Sequence, residues 1–196
     1  MGKSLSRREK VRKLRRILIV CEGKKTEPNY FKEFQTNPEV YDHIDIQGTG
    51  CNTVSLINEA IRIKNEAIQR KEPYIETWCV FDKDDFPIEL FENAIRLANK
   101  NKIECAYSIE AFELWYLLHF NYYDSALPRL QYIDKLSGLL KKPYKKNDEK
   151  IYSLLKNRQN RAIQNARKLF SRQCALPLKE QNPVTTVFKL VEKLNG

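Results

Sequence analysis

Apolar and polar positions fall into blocks along this chain. Ile17–Cys21 is an unbroken apolar run rich in β-branched residues, bounded by Arg16 and Glu22. Such a run predicts a strand buried on both faces, the kind found inside a parallel sheet. Shorter runs at Ile44–Gln47, Thr77–Phe81 and Ile103–Ser108 predict three more strands. The segments between them have helical spacing. Thr26 is placed to cap a helix with Pro28 in its first turn and Tyr30, Phe31 and Phe34 on one face. Asn52 or Thr53 caps a helix to about Arg70, with Val54, Ile57 and Ile61 on one side. Asp85 caps a third over Pro87–Lys100, and Ala111–Phe120, apolar almost all round, predicts a buried helix. Strands alternating with helices specify a mostly parallel four-stranded sheet with right-handed crossovers.

Beyond Asn121 the strand pattern stops. Leu127–Leu140, Asp148–Lys156, Arg158–Arg172 and Pro183–Leu194 read as helices, punctuated by Pro128, Pro143, Pro177 and Pro183. The expected organisation is a basic arm over residues 1–14, an α/β domain over 15–122 and a basic helical extension over 123–196 packed on it.

Composition narrows the classes. The chain has 196 residues, 42% of them hydrophobic, enough for one compact domain with a helical extension. No apolar run approaches the ~20 residues of a membrane span. The basic amino terminus lacks an apolar signal core, so a cytoplasmic location without membrane partners is expected. The five cysteines form no C-x-x-C pair and His43 lies far from His119, which argues against zinc. Cys21, Cys79 and Cys105 fall in predicted strands and read as buried free thiols of a reducing compartment. The net charge is +10, concentrated in residues 1–16 and 141–172, which leaves the remainder acidic. An acidic centre between basic flanks suits a metal-using enzyme acting on a polyanion.

The chemistry sits at strand ends. In an open α/β sheet, working residues gather at the carboxyl ends of the strands. Glu22 follows the first strand, and Asp82-Lys83-Asp84-Asp85 follows the third. Residues i and i+2 of an extended chain share a side, so Asp82 and Asp84 can converge on one cation, with Asp85 left as helix cap. Magnesium takes a few carboxylates and keeps waters. Gly23-Lys24-Lys25-Thr26 offers a glycine turn and two cations at a helix start, a phosphate-friendly surface. No G-x-x-x-x-G-K-[ST] loop exists in the chain, and Gly48–Thr53 lacks the lysine, which excludes P-loop ATP hydrolysis. Glu113, a charge entering an apolar helix, requires a cation, a lysine or water. His119 reads as a packed histidine, and Asn182-Pro183-Val184-Thr185 as a helix start with proline in its first turn.

Taken together, Ile19–Gly23 with Thr26–Phe31, Asn52-Thr53, Val80–Asp84, Ser108 with Phe112–Trp115 and Leu118–Phe120, and Asn182-Pro183-x-Thr185 resemble the RloB-like family, a Toprim-related group linked to bacterial phage defence, abortive infection and restriction loci. The resemblance spans most of the chain. It implies a Toprim-like fold in which a glutamate after the first strand and a D-x-D after the third serve magnesium-dependent phosphodiester chemistry, with manganese as an alternative ion. Carried over, these are Glu22, Asp82 and Asp84, with Glu113 at a matching position.

On that basis the expectation is a magnesium-dependent nuclease acting on DNA or RNA in phage defence, controlled by a partner ATPase, with a homodimer compatible with the same reading. Glu27 or Glu113 would orient the water or a second ion. Lys24, Lys25 and Lys83 would offset phosphate charge. Lys141, Lys142, Lys145, Lys146, Arg158 and Arg161, with Tyr144 and Tyr152 among them, would hold the polyanion. The alternative is a nucleic-acid-binding or sensor subunit whose acidic site is silent.

Overall fold

The structure, a computed structural model, describes residues 14–36, 39–83 and 86–196. Its centre is a four-stranded sheet in which β1 (Arg16–Cys21), β2 (His43–Gly48), β3 (Glu76–Lys83) and β4 (Glu104–Ile109) pair in the order β2-β1-β3-β4, every pair parallel. The apolar run is the central strand, and Ile17–Cys21 are fully buried. Side chains alternate between two cores with the period of two that a strand imposes. Ile17, Ile19 and Cys21 join Trp78 and Val80 in one. Leu18 and Val20 join Cys79 and Phe81 in the other.

Helices cover both faces. α1 (Thr26–Phe31) continues as a 3-10 turn over Lys32–Thr36, and α2 (Thr53–Gln69) and α3 (Ile88–Lys100) follow. Leu56, Ile57 and Ala60 of α2 and Phe91, Ala94 and Ala98 of α3 pack on the second core, whereas Tyr30 and Phe31 of α1 pack on the first. The chain steps from β1 to β2 in one direction and from β2 through β3 to β4 in the other. Right-handed crossovers therefore require α1 and the pair α2, α3 to lie on opposite faces.

The first core also receives α4 (Glu113–Leu118), α5 (Arg129–Leu140), α6 (Ile151–Leu155), α7 (Gln159–Gln173) and α8 (Val187–Asn195). Its buried residues run from Ile17 to Leu194, so the later helices complete the same core as the sheet. α4 is buried along its whole length, as its all-round apolar sequence requires.

Several local expectations are corrected. Lys25, not Thr26, holds the N-cap of α1 without a side-chain bond. The Thr26 hydroxyl instead donates to the Lys146 carbonyl at 2.9 Å. Asp85, the expected cap of α3, lies outside the described residues, and Pro87 holds the N-cap position. On α2, Val54 and Ile61 are only half-buried, because Leu56 and Ala60 beside Ile57 take the inner stripe.

Asn182-Pro183-Val184-Thr185 starts no helix. It runs along the outer edge of β4, where Ser108 and Thr185 form an antiparallel bridge. Ile109 N–H donates to the Val184 carbonyl at 2.8 Å, and Tyr107 N–H to Thr186 Oγ1 at 2.8 Å. Covering an open strand edge satisfies backbone groups that a helix start would leave bare, and α8 begins only at Val187. All five cysteines are free thiols, with Cys21 and Cys79 buried and Cys105 half-buried. Among the described residues no helix is long and apolar enough to cross a membrane.

Candidate active site

The strand order places the topological switch between β1 and β3, where the chain reverses its direction of travel across the sheet. Open parallel sheets bind ligands in the crevice at that point, outside the carboxyl ends of the strands. Glu22 follows β1 directly. Its N–H donates to the Val80 carbonyl at 2.9 Å and its carbonyl accepts Gly50 N–H at 2.8 Å. β3 extends past its expected end, so Asp82 lies in the strand and continues the face of Trp78 and Val80. Glu22 Oε2 accepts the Asp82 N–H at 3.1 Å, and Asp82 Oδ2 accepts the Phe112 N–H at 3.0 Å. The two acids are thus set by backbone groups of three neighbouring segments.

Two further carboxylates converge there. Glu27, in the first turn of α1, is 5% exposed, and Glu113, at the start of α4, is 1% exposed. The turn residue Gly23 makes room for Glu27, since a Cβ there would stand 2.1 Å from Glu27 Oε2. Glu22, Glu27, Asp82 and Glu113 line one cavity of about 230 Å³, with Arg129 and Lys146 also at its wall.

Each buried acid has a distinct environment. Burial pushes the Glu27 carboxyl up to about 7, repulsion from Glu113 and Glu22 adds to it, and the backbone N–H groups of Glu27 and Gly23 oppose it. Its Oε2 is buried with no hydrogen-bond partner among the described residues. Glu113 Oε1 accepts the Tyr144 hydroxyl at 3.2 Å and lies 3.5 Å from Lys146 Nζ. The lysine that a buried Glu113 requires therefore comes from the helical extension. Burial raises the Tyr144 hydroxyl, and Glu113 raises it further. Tyr132 of α5 is fully buried, and its hydroxyl is raised by burial first and then by Glu110 and Asp82.

This donor set fits magnesium in kind, because hard carboxylate oxygens line a cavity with room for water, and Glu27, whose buried Oε2 has no hydrogen-bond partner among the described residues, is repelled by Glu113 and Glu22. Among the described residues no group of three His, Cys, Asp or Glu side chains is arranged to hold a metal ion. Glu22 and Asp82 stand as a pair, and Asp84 lies outside the described residues.

The remaining candidates scatter. Lys24 and Lys25 are exposed on the loop before α1, and Lys83 is half-buried at the end of β3. In the basic run, Lys141 closes α5 in the left-handed conformation with φ 54°. Lys142 pairs with Asp148 at 2.8 Å, Lys145 is exposed, and Lys146 belongs to the site itself. The Arg158 guanidinium lies 4.5 Å from the centre of the Phe120 ring, and Arg161 donates to the Phe120 carbonyl at 3.2 Å.

Tyr144 and Tyr152 do not face outward to a polyanion. Tyr144 is buried against Glu113, and Tyr152 packs on Tyr30 and Phe34 at ring distances of 5.4 and 5.1 Å. The core claims both rings because their apolar area outweighs any surface role. His119 is buried, with Nδ1 2.9 Å from the Trp115 carbonyl, and burial lowers its pKa to about 4. Sequence reasoning missed Arg129 and the Phe112 N–H, since an arginine at a helix start and a backbone donor carry no signal of their own.

These features define a class: an α/β protein with a parallel sheet and an acidic pocket at its switch point. The chain belongs to the RloB-like protein family, whose model matches residues 17–194. No curated protein and no solved structure matches it.

Proposed function

We propose that this protein is a magnesium-dependent nuclease of Toprim type that hydrolyses phosphodiester bonds in DNA or RNA. The reading rests on one observation, the convergence of four carboxylates at the switch point of a strongly basic chain. Glu22, Asp82 and Asp84 would hold magnesium, or manganese in its place. When bound, that ion supplies Lewis-acid polarisation of the scissile phosphate and a lowered pKa for its water.

The chain's own residues do the rest. Glu27 holds or releases a proton near neutral pH and takes the proton of the attacking water on Oε2. Lys24 and Lys25, exposed on the loop before α1, would offset charge on a phosphate that lies across the mouth of the cavity. Arg129 and Lys146 draw the phosphate to the cavity. The resemblance to the family further implies a role in phage defence under a partner ATPase, which would supply the nucleotide switch that this sequence lacks.

A second reading has its own support. Lys146 Nζ stands 3.5 Å from Glu113 as an internal counter-ion, and no described triad is arranged for metal. Both features suit a silent site in a nucleic-acid-binding or sensor subunit.

One experiment separates the two. The purified protein is incubated with plasmid, single-stranded DNA and total RNA, in magnesium and in EDTA. The nuclease reading expects magnesium-dependent cleavage that Glu22→Gln and Asp82→Asn each abolish in folded protein. Cleavage by Asp82→Asn at the wild-type rate would remove these acids from the mechanism. Binding without cleavage, with and without the ATPase, would favour the silent site.

A further inference from the structure

Helix α7 carries a stripe whose purpose the acidic pocket does not explain. Its sequence from Gln159 to Gln173 has four cations and no carboxylate. Ala162, Ala166 and Leu169 are buried, while Arg161, Asn165, Lys168 and Arg172 recur at helical spacing along another face. That face holds the segment after α4 by a series of contacts. Arg161 donates to the Phe120 carbonyl at 3.2 Å, and Asn165 Nδ2 to the Leu118 carbonyl at 2.8 Å. Lys168 Nζ stands 4.5 Å and the Arg172 guanidinium 5.6 Å from the centre of the Tyr122 ring. Arg158 covers Phe120 at 4.5 Å, and Lys135 of α5 approaches Tyr123 at 5.7 Å.

From Arg161 to Arg172, about 16 Å of helix at 1.5 Å per residue, the stripe meets the Tyr122 ring, with Phe120 under Arg158 one turn earlier and Tyr123 under Lys135 of α5 beside it. Tyr122 and Tyr123 are half-buried: each packs an edge on the core and keeps the rest at the surface. The stripe is also tied to the site through the chain. Arg172 pairs with Asp124 at 3.0 Å, in the loop that continues to Arg129 of the cavity. At the same end Gln173 Nε2 donates to the Pro183 carbonyl, and the adjacent Asn182 donates to Glu110 beyond β4.

We infer that the α7 stripe with Tyr122 and Tyr123 is a docking track for a single-stranded polynucleotide that feeds the acidic cavity. Single strands are held by cations tracking the backbone and by bases stacking on aromatic and guanidinium planes. A duplex buries its bases and offers no π-faces to such a track. The expected phosphate-binding run at Lys141–Lys146 is a poorer candidate, because its one ring, Tyr144, is buried against Glu113 and offers no face to a base. Asp124 is the one carboxylate paired into the stripe among the described contacts of Tyr122, Lys168 and Arg172. It competes with phosphate for Arg172.

This inference deepens the nuclease reading and rests on it, but its test reads binding, not cleavage. The full chain is titrated into fluorescent single-stranded DNA, single-stranded RNA and duplex DNA of mixed sequence, in EDTA, over a series of salt concentrations. Single strands of either sugar are expected to bind more tightly than duplex. Lys168→Gln with Arg172→Gln lowers the log–log salt slope by about 1.4, or ~0.7 for each phosphate contact on a single strand. A charge-matched control, Lys71→Gln with Lys102→Gln beyond α2 and α3, leaves it unchanged.

Tyr122→Ala weakens binding about five-fold, the lower end for loss of one stacked base, and has no effect on an abasic strand. Asp124→Asn tightens binding about two-fold. A stripe that only fastens the loop would instead lower the melting temperature in these variants with affinity and slope unchanged, and that result overturns the inference. A preference for duplex, or an equal loss in the control pair, overturns it as well. Intact stripe-dependent binding without magnesium-dependent cleavage would refute the nuclease reading and leave the track standing.

Discussion

Removing the charge of Glu27 tests the electrostatics of the cavity without any assumption about substrate. Its carboxyl is pushed from 4.5 to about 7, by burial first and by Glu113 and Glu22 next. A carboxyl whose pKa is raised on folding holds its proton more tightly in the native than in the unfolded state. Its contribution is therefore fully present below about pH 4.5 and is lost as pH rises through 7. At 1.36 kcal/mol per unit the loss is about 3 kcal/mol by pH 8 and under ~1 kcal/mol at pH 5. Glu27→Gln keeps the shape and removes the titration.

In EDTA the variant should match the wild type within ~1 kcal/mol at pH 5. At pH 8 it should exceed it by up to ~3 kcal/mol, a gain of roughly 6–12 °C in Tm for a chain of this size. Thermal unfolding of both proteins from pH 5 to pH 8 measures the widening gap. Magnesium should narrow it, because a cation held by Glu22 and Asp82 offsets the repulsion that the ionised Glu27 of the wild type meets. A gap that stays constant over that pH range would refute the claim that Glu27 is buried among like charges.

Two further substitutions address how the cavity is built. Gly23→Ala would place a Cβ 2.1 Å from Glu27 Oε2, so the carboxyl must move. Cleavage should fall at least ten-fold while the circular dichroism spectrum is kept, and an active Gly23→Ala protein would show that Glu27 need not stand where it does. Tyr144→Phe removes the hydroxyl that Glu113 accepts at 3.2 Å. It should cost about 1–3 kcal/mol in denaturant unfolding, the range for stripping one partner from a buried acceptor, and a neutral result would mean that Lys146 alone satisfies Glu113.

Much of this protein is legible in its residues one segment at a time. Ile17–Cys21 is too apolar and too β-branched to be anything but an inner strand. The blocks that follow it alternate as a parallel sheet requires, and an acid at the end of such a strand lies where open sheets bind ligands. Glu113 is legible for a related reason: a carboxylate in an all-apolar helix must find a partner, although the sequence does not say which. These are local consequences of burial and periodicity.

The tertiary structure decided what depends on pairs of residues distant in sequence. Only the strand order β2-β1-β3-β4 makes Glu22 and Asp82 neighbours, and only the packing of the helical extension brings Tyr144 and Lys146 to Glu113. The same packing turned Tyr144 and Tyr152 inward and left Tyr122 to the stripe of α7. A lysine run or a tyrosine reads the same in sequence whether it meets solvent, a carboxylate or a core. Its role is settled by the other segment that folds against it, and that partner is chosen by the burial of the whole chain.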